Sequence, residues 1–539
     1  MKAPLARTYF ELCQEQAATY GSAPALIHAG QTISYCALAE KAQQVAAALR
    51  ANGVRHGNRI GILMPNRPEW VEIAMGAGGA GAVAVPFSTW STRQELDFLL
   101  RDSGVTHLFA LARFGDRDYA ADLAVLLPDL VDGGRSNAFP ALKKVVIVEP
   151  ADFIGFTTYS HFIADRPAYT ILPPGEMVSA GDDALILYTS GSSAFPKAVR
   201  LKQHGCIENG FNIGERQGYG PNDRVLLAPP LFWSYGSANA LSAVLTHGAC
   251  VVLQDKFGST ESLDLIEKHG CSALYTLPGM TASLIADPSF SRDRVKTLRT
   301  GLTIGSPQDV HEAATKLGVA EICNVYGATE TYGNCCVTWH HWPLEKRMNC
   351  QGPPLPGNII RFVDEVTGEE VPFGQPGLAE VKGFITPGYT NASSDQNPKV
   401  FTEDGYYRTG DMARFDEEGH FVFVGRNTEM IKRAGINISP AEVENILLLH
   451  PDVESAGVVG VADRARGELV IAFVVARRGT RPTEADLITH CRSVASKYKV
   501  PDRIEIRHAL PLTPTGKLQR RELKQDATDL LNATEATRG

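Results

Sequence analysis

Ten consecutive residues, Tyr188-Thr189-Ser190-Gly191-Ser192-Ser193-Ala194-Phe195-Pro196-Lys197, hold four aliphatic hydroxyls, a glycine and a lysine. Hydroxyl and backbone donors around a glycine can wrap phosphate oxygens, and Lys197 adds a positive point charge. The segment is not a Walker loop, because the G-K-[ST] ending is absent. Taken alone it is read equally as a phosphate grip or as an ordinary Ser/Thr-rich loop. A second glycine pattern, Gly76-Ala77-Gly78-Gly79-Ala80-Gly81, satisfies G-x-G-x-x-G. A dinucleotide site needs a strand before that pattern and a helix after it. Here the helix-like stretch 67–75 precedes it and the strand-like AVAVP follows. These glycines are expected to serve close helix–sheet packing instead. Cys335, Cys336, His340 and His341 contain no C-x₂-C or H-x₃-H pair, so they are not taken as a metal site.

The elements that must position the loop follow from hydrophobic pattern. Residues 37–52 carry apolar positions at helical spacing, and Gly53 stands where a left-handed cap is wanted. Short apolar runs at RIGILM, AVAVP, THLFAL, ALILYT, RVLLAP, ACVVLQ, SALYTL and EICNVY alternate with helix-like segments. Such alternation predicts α/β layers with largely parallel sheets, and it sets the hydroxyl loop at the end of a strand. After about residue 360 the runs NIIRFVD, LAEVKG and HFVFVG lie closer together and predict a β-rich unit. Beyond Arg426 a further α+β domain is expected, with helices near 440–449 and 483–496 and strands at ESAGVVGVA, ELVIAFVVA and IEIRH. Ser439, Pro440 and Glu442 form a capping-box pattern that starts a helix, so Glu442 is given no chemistry. The last residues, from Asp526 onward, are expected to fray.

Bulk properties exclude some classes. The chain has 539 residues, 44% hydrophobic and 21% charged, with a net charge of −8. Nothing basic enough for nucleic acid or a membrane surface is visible. The longest uncharged stretch, Ile73 to Val85, is too short and glycine-rich to span a bilayer. The N-terminus lacks the apolar core of a secretory signal. Ten cysteines without such a signal are expected to be reduced thiols in the cytoplasm.

Further motifs follow the hydroxyl loop in order: Asn324-Val325-Tyr326-Gly327-Ala328-Thr329-Glu330, Tyr407-Arg408-Thr409-Gly410-Asp411, Gly425-Arg426, Lys432-Arg433-Ala434-Gly435 and Pro514-Thr515-Gly516-Lys517. Together they resemble the adenylate-forming superfamily of acyl- and aryl-CoA ligases, peptide-synthetase adenylation domains and luciferases. The resemblance spans nearly the whole chain. It implies an α/β fold with a large N-terminal domain, 1–427, of two α/β subdomains plus a β-barrel. A small mobile α+β domain, 428–539, would follow it.

The resemblance also implies roles. Thr189, Ser190, Gly191, Ser192, Ser193 and Lys197 would hold the ATP phosphates. Glu330 would bind Mg²⁺, a hard cation for which one carboxylate plus phosphates suffices. Thr329 would touch the α-phosphate, and Tyr326 would stack on adenine with Gly327 beside it. Asn324 would meet the base edge, and Gly305 and Ser306 would form the opposite wall. Asp411 would accept from both ribose hydroxyls, a task suited to an ionised carboxylate, and Arg426 would fix the sugar. Lys517 would be the catalytic lysine, offsetting repulsion between the substrate carboxylate and the anionic α-phosphate.

The implied reaction runs from a carboxylic acid and ATP to an acyl-adenylate, and then to a thioester with coenzyme A. Lys432, Arg433, Ala434 and Gly435 would flank the pantetheine channel, and Thr428 would stand at the hinge in place of the usual Asp or Lys. Phe232, Trp233, Tyr235, Gly236 and Gly301 would line an apolar acyl pocket for an aryl, alicyclic or fatty acid. Trp233 occupies the place of the Asp that pairs with the ammonium group in α-amino-acid domains. Core packing is the competing reading for Trp233. One departure stands out: Ala194 and Ala198 replace loop glycines, and alanine is penalised wherever φ is positive. An enzyme that only thioesterifies a supplied adenylate therefore stays open; so, on the separate question of the acceptor, does an acyl-adenylate ligase feeding a carrier-protein phosphopantetheine. A non-catalytic nucleotide-binding module fits the residues less well. Oligomeric state is left open, a homodimer included.

Overall fold

Unbroken runs of Val, Ile and Leu suit strands covered on both faces, and helices between them supply the cover. The computed structural model describes residues 1–131, 136–148, 156–164, 167–173, 175–189, 196–433, 436–463, 467–495, 499–513 and 518–536. Each apolar run named above becomes a strand. The chain divides into two compact units, Met1–Ile359 with Val381–Tyr407, and Ile360–Glu380 with Arg408–Gly539.

The first unit holds two eight-stranded sheets. One is ordered Cys336–Val337, Glu321–Tyr326, Thr300–Thr303, Ala273–Tyr275, Arg224–Leu227, Cys250–Leu253, Pro24–His28 and Gln31–Ser34. Its pairs are parallel except at the two ends. The other is ordered Tyr389–Thr390, Lys197–Lys202, Asp183–Thr189, Val83–Pro86, Arg59–Leu63, His107–Ala110, Lys144–Ile147 and Thr157–Thr158. Here too the strands are parallel, save for the antiparallel pairs that Lys197–Lys202 makes on both sides. The strands Val83–Pro86, His107–Ala110 and Cys250–Leu253 are buried along their whole length.

The helix expected at 37–52 runs Tyr35–Ala51, started by the Ser34 hydroxyl accepting from the Ala37 amide at 3.2 Å. Gly53 follows with φ +82°, as a left-handed turn requires. The glycine-rich stretch corrects an expectation. Gly76, Gly78 and Gly79 lie inside the helix Pro68–Gly79. A Cβ on Gly76 would stand 2.6 Å from Val45 Cβ and 2.9 Å from the Ala42 carbonyl oxygen. One on Gly79 would stand 2.5 Å from the Phe10 ring. The glycines therefore let three helices touch, rather than a helix and a sheet.

Most of a four-stranded sheet, ordered Ile359–Val363, Gly377–Lys382, Tyr407–Phe415 and Phe421–Arg426, belongs to the second unit. A five-stranded sheet follows, with Ile436–Ile438, Ile431–Arg433, Gly467–Ala476 and Val453–Asp463 in order and Arg503–Arg507 alongside Gly467–Ala476. The helices Pro440–Leu448, Glu484–Val494 and Arg520–Ala536 accompany it. The last of these corrects the expected fraying through Ala536. Leu523 and Ala527 are buried with Ile471 and Phe473, and that burial holds the helix. The capping box at Ser439 is half formed. Its hydroxyl accepts from the Glu442 amide at 3.4 Å and donates to the Val424 carbonyl, while the Glu442 carboxylate pairs with Lys499. Among the described residues no helix is long and apolar enough to cross a membrane.

The packing at Gly76 has a signed consequence. In an exposed helix Gly→Ala gains about 0.8–1 kcal/mol. At a filled contact the added methyl costs about 1–3 kcal/mol. Gly76→Ala is expected to lower the thermal unfolding midpoint, and a rise would contradict the close contact.

Candidate active site

The strands on either side of the hydroxyl loop, Asp183–Thr189 and Lys197–Lys202, pair antiparallel. Thr189 stands opposite Lys197 and Tyr188 opposite Ala198. The root is braced from below: the Tyr188 hydroxyl donates to Asp102 at 2.7 Å. Burial first, and then the Asp102 charge, push that phenol upward, so it stays a donor. Ala198 sits buried in a strand and is not among the positive-φ residues, so the feared penalty does not arise there. Ser190, Gly191, Ser192, Ser193, Ala194 and Phe195 lie outside the described residues.

On the other side of Lys197–Lys202 lies a two-residue strand, Tyr389–Thr390, with Tyr389 opposite Val199. The Lys197 ammonium sits 5.2 Å from the Tyr389 ring centroid, a cation–π contact. The Tyr389 hydroxyl donates to Glu330 Oε1 at 2.8 Å. Since that hydroxyl has a single proton, its contact with the Tyr407 hydroxyl must be one that Tyr407 donates. Burial, then the Glu330 charge, drive both phenols upward. Glu330 is 8% exposed, and its backbone carbonyl accepts from the Thr386 amide at 2.6 Å. Among the described residues its Oε2 has no hydrogen-bond donor.

Glu330 and Thr329 occupy one 3₁₀ turn, Thr329–Thr331, beyond the strand Glu321–Tyr326. The Thr329 hydroxyl stands 3.0 Å from that of Ser234. The turn closes through Tyr332 at φ +57° and ψ +32°, an uncommon conformation for an aromatic residue. The Tyr332 hydroxyl accepts from the Lys202 amide at 2.9 Å, which secures the turn to the strand leaving the hydroxyl loop. Tyr326 is 8% exposed at the strand end, and Gly327 backs so closely on Asn334 that a Cβ would stand 2.4 Å from its Cα. Asn324 is 1% exposed, with Nδ2 donating to the Cys350 carbonyl at 3.1 Å and Oδ1 accepting from the Val325 amide at 2.9 Å. Ser306 caps the helix Pro307–Glu312: its hydroxyl and amide both donate to Asp309 Oδ2 at 2.7 Å. A Cβ on Gly305 would meet that carboxylate at 2.6 Å.

The five acyl-side residues separate into two kinds. Phe232 is buried, Trp233 half-buried, and both meet the Trp90 ring edge-on at 5.2 Å between centroids. Trp90 itself is 47% exposed. Tyr235, in contrast, is locked in place, its hydroxyl directed at the Thr276 and Leu302 carbonyls at 3.1 and 3.0 Å. Gly236 and Gly301 are backbone contacts. A Cβ on Gly236 would stand 2.2 Å from the Pro230 oxygen, and one on Gly301, whose φ is +150°, 2.1 Å from the Leu274 oxygen.

In the second unit Asp411 and Arg426 are cross-strand partners, with Nε to Oδ1 at 2.8 Å. Thr428 lies in a 3₁₀ turn, Asn427–Glu429, that follows the strand Phe421–Arg426. Lys432 and Arg433 end the strand Ile431–Arg433, where Lys432 is opposite Asn437. Arg433 is engaged within the unit, at 2.6 Å from Asp502 and 3.0 Å from the Val500 carbonyl. Ala434, Gly435 and Lys517 lie outside the described residues.

Sequence reading missed Trp90, Ser234 and Tyr389. Each touches a site residue from 50 or more positions away or through a turn it does not announce. Only the Gly-Tyr pair at 388–389, before a short loop, offered a local signal.

Known proteins resemble this chain along nearly its whole length. The family model described as AMP-binding enzyme matches residues 13–390, and that of the AMP-binding enzyme C-terminal domain matches 442–517. The acyl-CoA ligase sidI of Aspergillus fumigatus is 30% identical, over 97% of this chain and 92% of its own. The sulfoacetate–CoA ligase of Cupriavidus necator is also 30% identical, over 96% and 98%. The crystal structure of the anthranilate CoA ligase AuaEII with anthranoyl-AMP superposes with a TM-score of 0.83 at 25% identity, covering 98% of this chain and 99% of that one.

The contact at Gly301 predicts a structural failure. Gly301→Ala is expected to reduce soluble yield and unfolding temperature for every acid tested. A variant of wild-type stability with altered acid preference would instead assign Gly301 to the pocket.

Proposed function

The chain belongs to the AMP-binding enzyme family, and from that premise we propose how its residues divide the work of an AMP-forming acid–CoA ligase. Such an enzyme activates a carboxylic acid with ATP and passes the acyl group to coenzyme A. One observation carries the assignment. A single antiparallel strand, Lys197–Lys202, joins the hydroxyl loop on one side to the residue that holds Glu330 on the other. Phosphate donors and a buried carboxylate so arranged suit a triphosphate with its cation.

The acid is ionised at neutral pH and needs no general base. Its oxygen attacks the α-phosphorus, the bond to pyrophosphate breaks, and a mixed anhydride results. Thr189, Ser190, Ser192, Ser193 and Lys197 hold the β- and γ-phosphates, with Gly191 at the bend. Thr329, backed by Ser234, meets the α-phosphate. Tyr326 stacks on adenine between Asn324, Gly327 and the Gly305–Ser306 wall. The Asn324 amide keeps one hydrogen for the base. Asp411 and Arg426 take the ribose. Glu330 fits Mg²⁺, since a carboxylate with one oxygen bonded and the other given no donor among the described residues suits a hard cation. When bound, the cation neutralises phosphate charge. Lys517 bridges the two anionic reactants.

In the second step the CoA sulfur attacks the acyl carbon, AMP leaves, and the thiol proton passes to solvent. About a few per cent of a thiol with pKa near 8.5 is thiolate at pH 7, sufficient against so good a leaving group. The C-terminal residues 428–539 turn about Thr428, which withdraws Lys517 and brings in the loop 432–435. Arg433 anchors that loop through Asp502. Phe232, Trp233 and Trp90 favour an apolar acid, aryl, alicyclic or fatty. All ten cysteines are free thiols, which suits the reducing cytoplasm.

Two measurements test the assignment. Screening acids with and without CoA should give AMP release that needs both, and a thioester by mass spectrometry. Hydroxylamine-trapped adenylate with no CoA dependence would transfer the acceptor role to a carrier protein. Turnover of supplied adenylate alone would mark a thioesterification enzyme. Lys517→Ala should slow adenylate formation about 10²–10³-fold while sparing thioester formation from supplied adenylate. Unchanged adenylation in that variant would sink the role of Lys517.

A further inference from the structure

Glu330 is the residue to which the proposed function gives Mg²⁺, and its carboxylate is held by a chain of contacts that this function does not use. Tyr407 donates to Tyr389, and Tyr389 donates to Glu330 Oε1 at 2.8 Å. Tyr389, Tyr407 and Glu330 are all buried in the first compact unit. The rest of the segment grips as well. The Thr386 amide holds the Glu330 carbonyl, and the Thr386 hydroxyl is 2.7 Å from the Arg200 carbonyl. Tyr389 also pairs with Val199 through its backbone and lies under the Lys197 ammonium.

We propose that Tyr389 is a positioning residue for the metal. By binding Oε1 it fixes the plane of the Glu330 carboxylate and directs Oε2 toward the cation and the phosphates. Tyr407 fixes the Tyr389 hydroxyl in turn. The proposal rests on the reading of Glu330 as the Mg²⁺ ligand. Its physical basis is that a carboxylate on a short turn can rotate about its side-chain torsions. A cation that keeps near-ideal octahedral geometry tolerates such freedom poorly. Outer hydrogen bonds that orient a ligand typically change metal affinity about 10–100-fold when removed. Lys197 above the same ring gives a second consequence. The loop lysine and the metal ligand share one support, so their separation is set by Tyr389 and not by the loop alone.

The experiment is calorimetric and needs no turnover. Binding of α,β-methylene-ATP to the full chain is measured in excess Mg²⁺ and in EDTA, for wild type, Tyr389→Phe, Tyr407→Phe and Glu330→Gln. In wild type Mg²⁺ should tighten binding. Tyr389→Phe should cut that Mg²⁺-dependent gain by about 10-fold or more, with affinity in EDTA unchanged. Tyr407→Phe should cut it less, because its hydroxyl acts through Tyr389. Mn²⁺, which ligates more strongly, should restore part of the loss. Equal weakening with and without metal would make Tyr389 a purely structural residue and overturn the proposal, as would an unchanged gain. If Tyr389→Phe does not fold, the Tyr407→Phe ratio decides. A wild-type protein, or a Glu330→Gln variant, whose Mg²⁺ gain matches the other's would remove the role of Glu330, and this inference with it.

Discussion

Backbone hydrogen bonds on the two edges of one strand, Lys197–Lys202, are the constraint from which the rest of the site follows. One edge pairs with Asp183–Thr189, which sets Thr189 opposite Lys197. The other takes Tyr389–Thr390 and through it reaches Glu330. Even the turn that carries Glu330 is secured there, by the Tyr332 hydroxyl on the Lys202 amide. Ladder bonds allow little sliding, because a shift of one residue turns every side chain to the other face. A site that must oppose several negative charges needs such fixed distances. Charge stabilisation comes from groups already in place, and a support that yields would give it away.

The same need explains where the structure accepts strain and crowding. Tyr332 holds a left-handed conformation at the end of the Glu330 turn, braced by its own hydroxyl. Gly301, inside the strand Thr300–Thr303, and Gly327, just past the end of the adjacent strand Glu321–Tyr326, allow backbone to lie against backbone. The end of Glu321–Tyr326 bears the residues proposed to meet adenine. Strand termini next to tight turns are rigid yet open to a ligand, which is why parallel sheets place binding groups there. The aromatic edge contacts of Trp90, Phe232 and Trp233 add a wall that is apolar but keeps an exposed face.

The second unit follows a different rule. Asp411 and Arg426 face each other across a strand pair and hold each other through an ion pair. Arg433 is tied to Asp502 and Val500 inside its own sheet. Motifs that are completed within one unit keep their geometry through neighbouring strands alone.

How much of this was legible follows from range. The strands Arg59–Leu63, Val83–Pro86 and Glu321–Tyr326, the helix Tyr35–Ala51 and the cap at Gly53 were written in neighbouring residues, since periodicity and turn chemistry act over a few positions. The helix Arg520–Ala536 was not, because its core contribution is small within a polar stretch. The glycines at 76–79 showed that something packs closely, but not that helices rather than a sheet do so. The ordered motifs determined the family by themselves, and hence the class of reaction. Only the tertiary structure decided what supports them. Tyr389 meets Glu330 across 59 positions, and Trp90 meets Phe232 across a still longer gap, because the chain path brings them together. Side-chain chemistry is local to a residue, whereas the distance between two residues belongs to the whole fold.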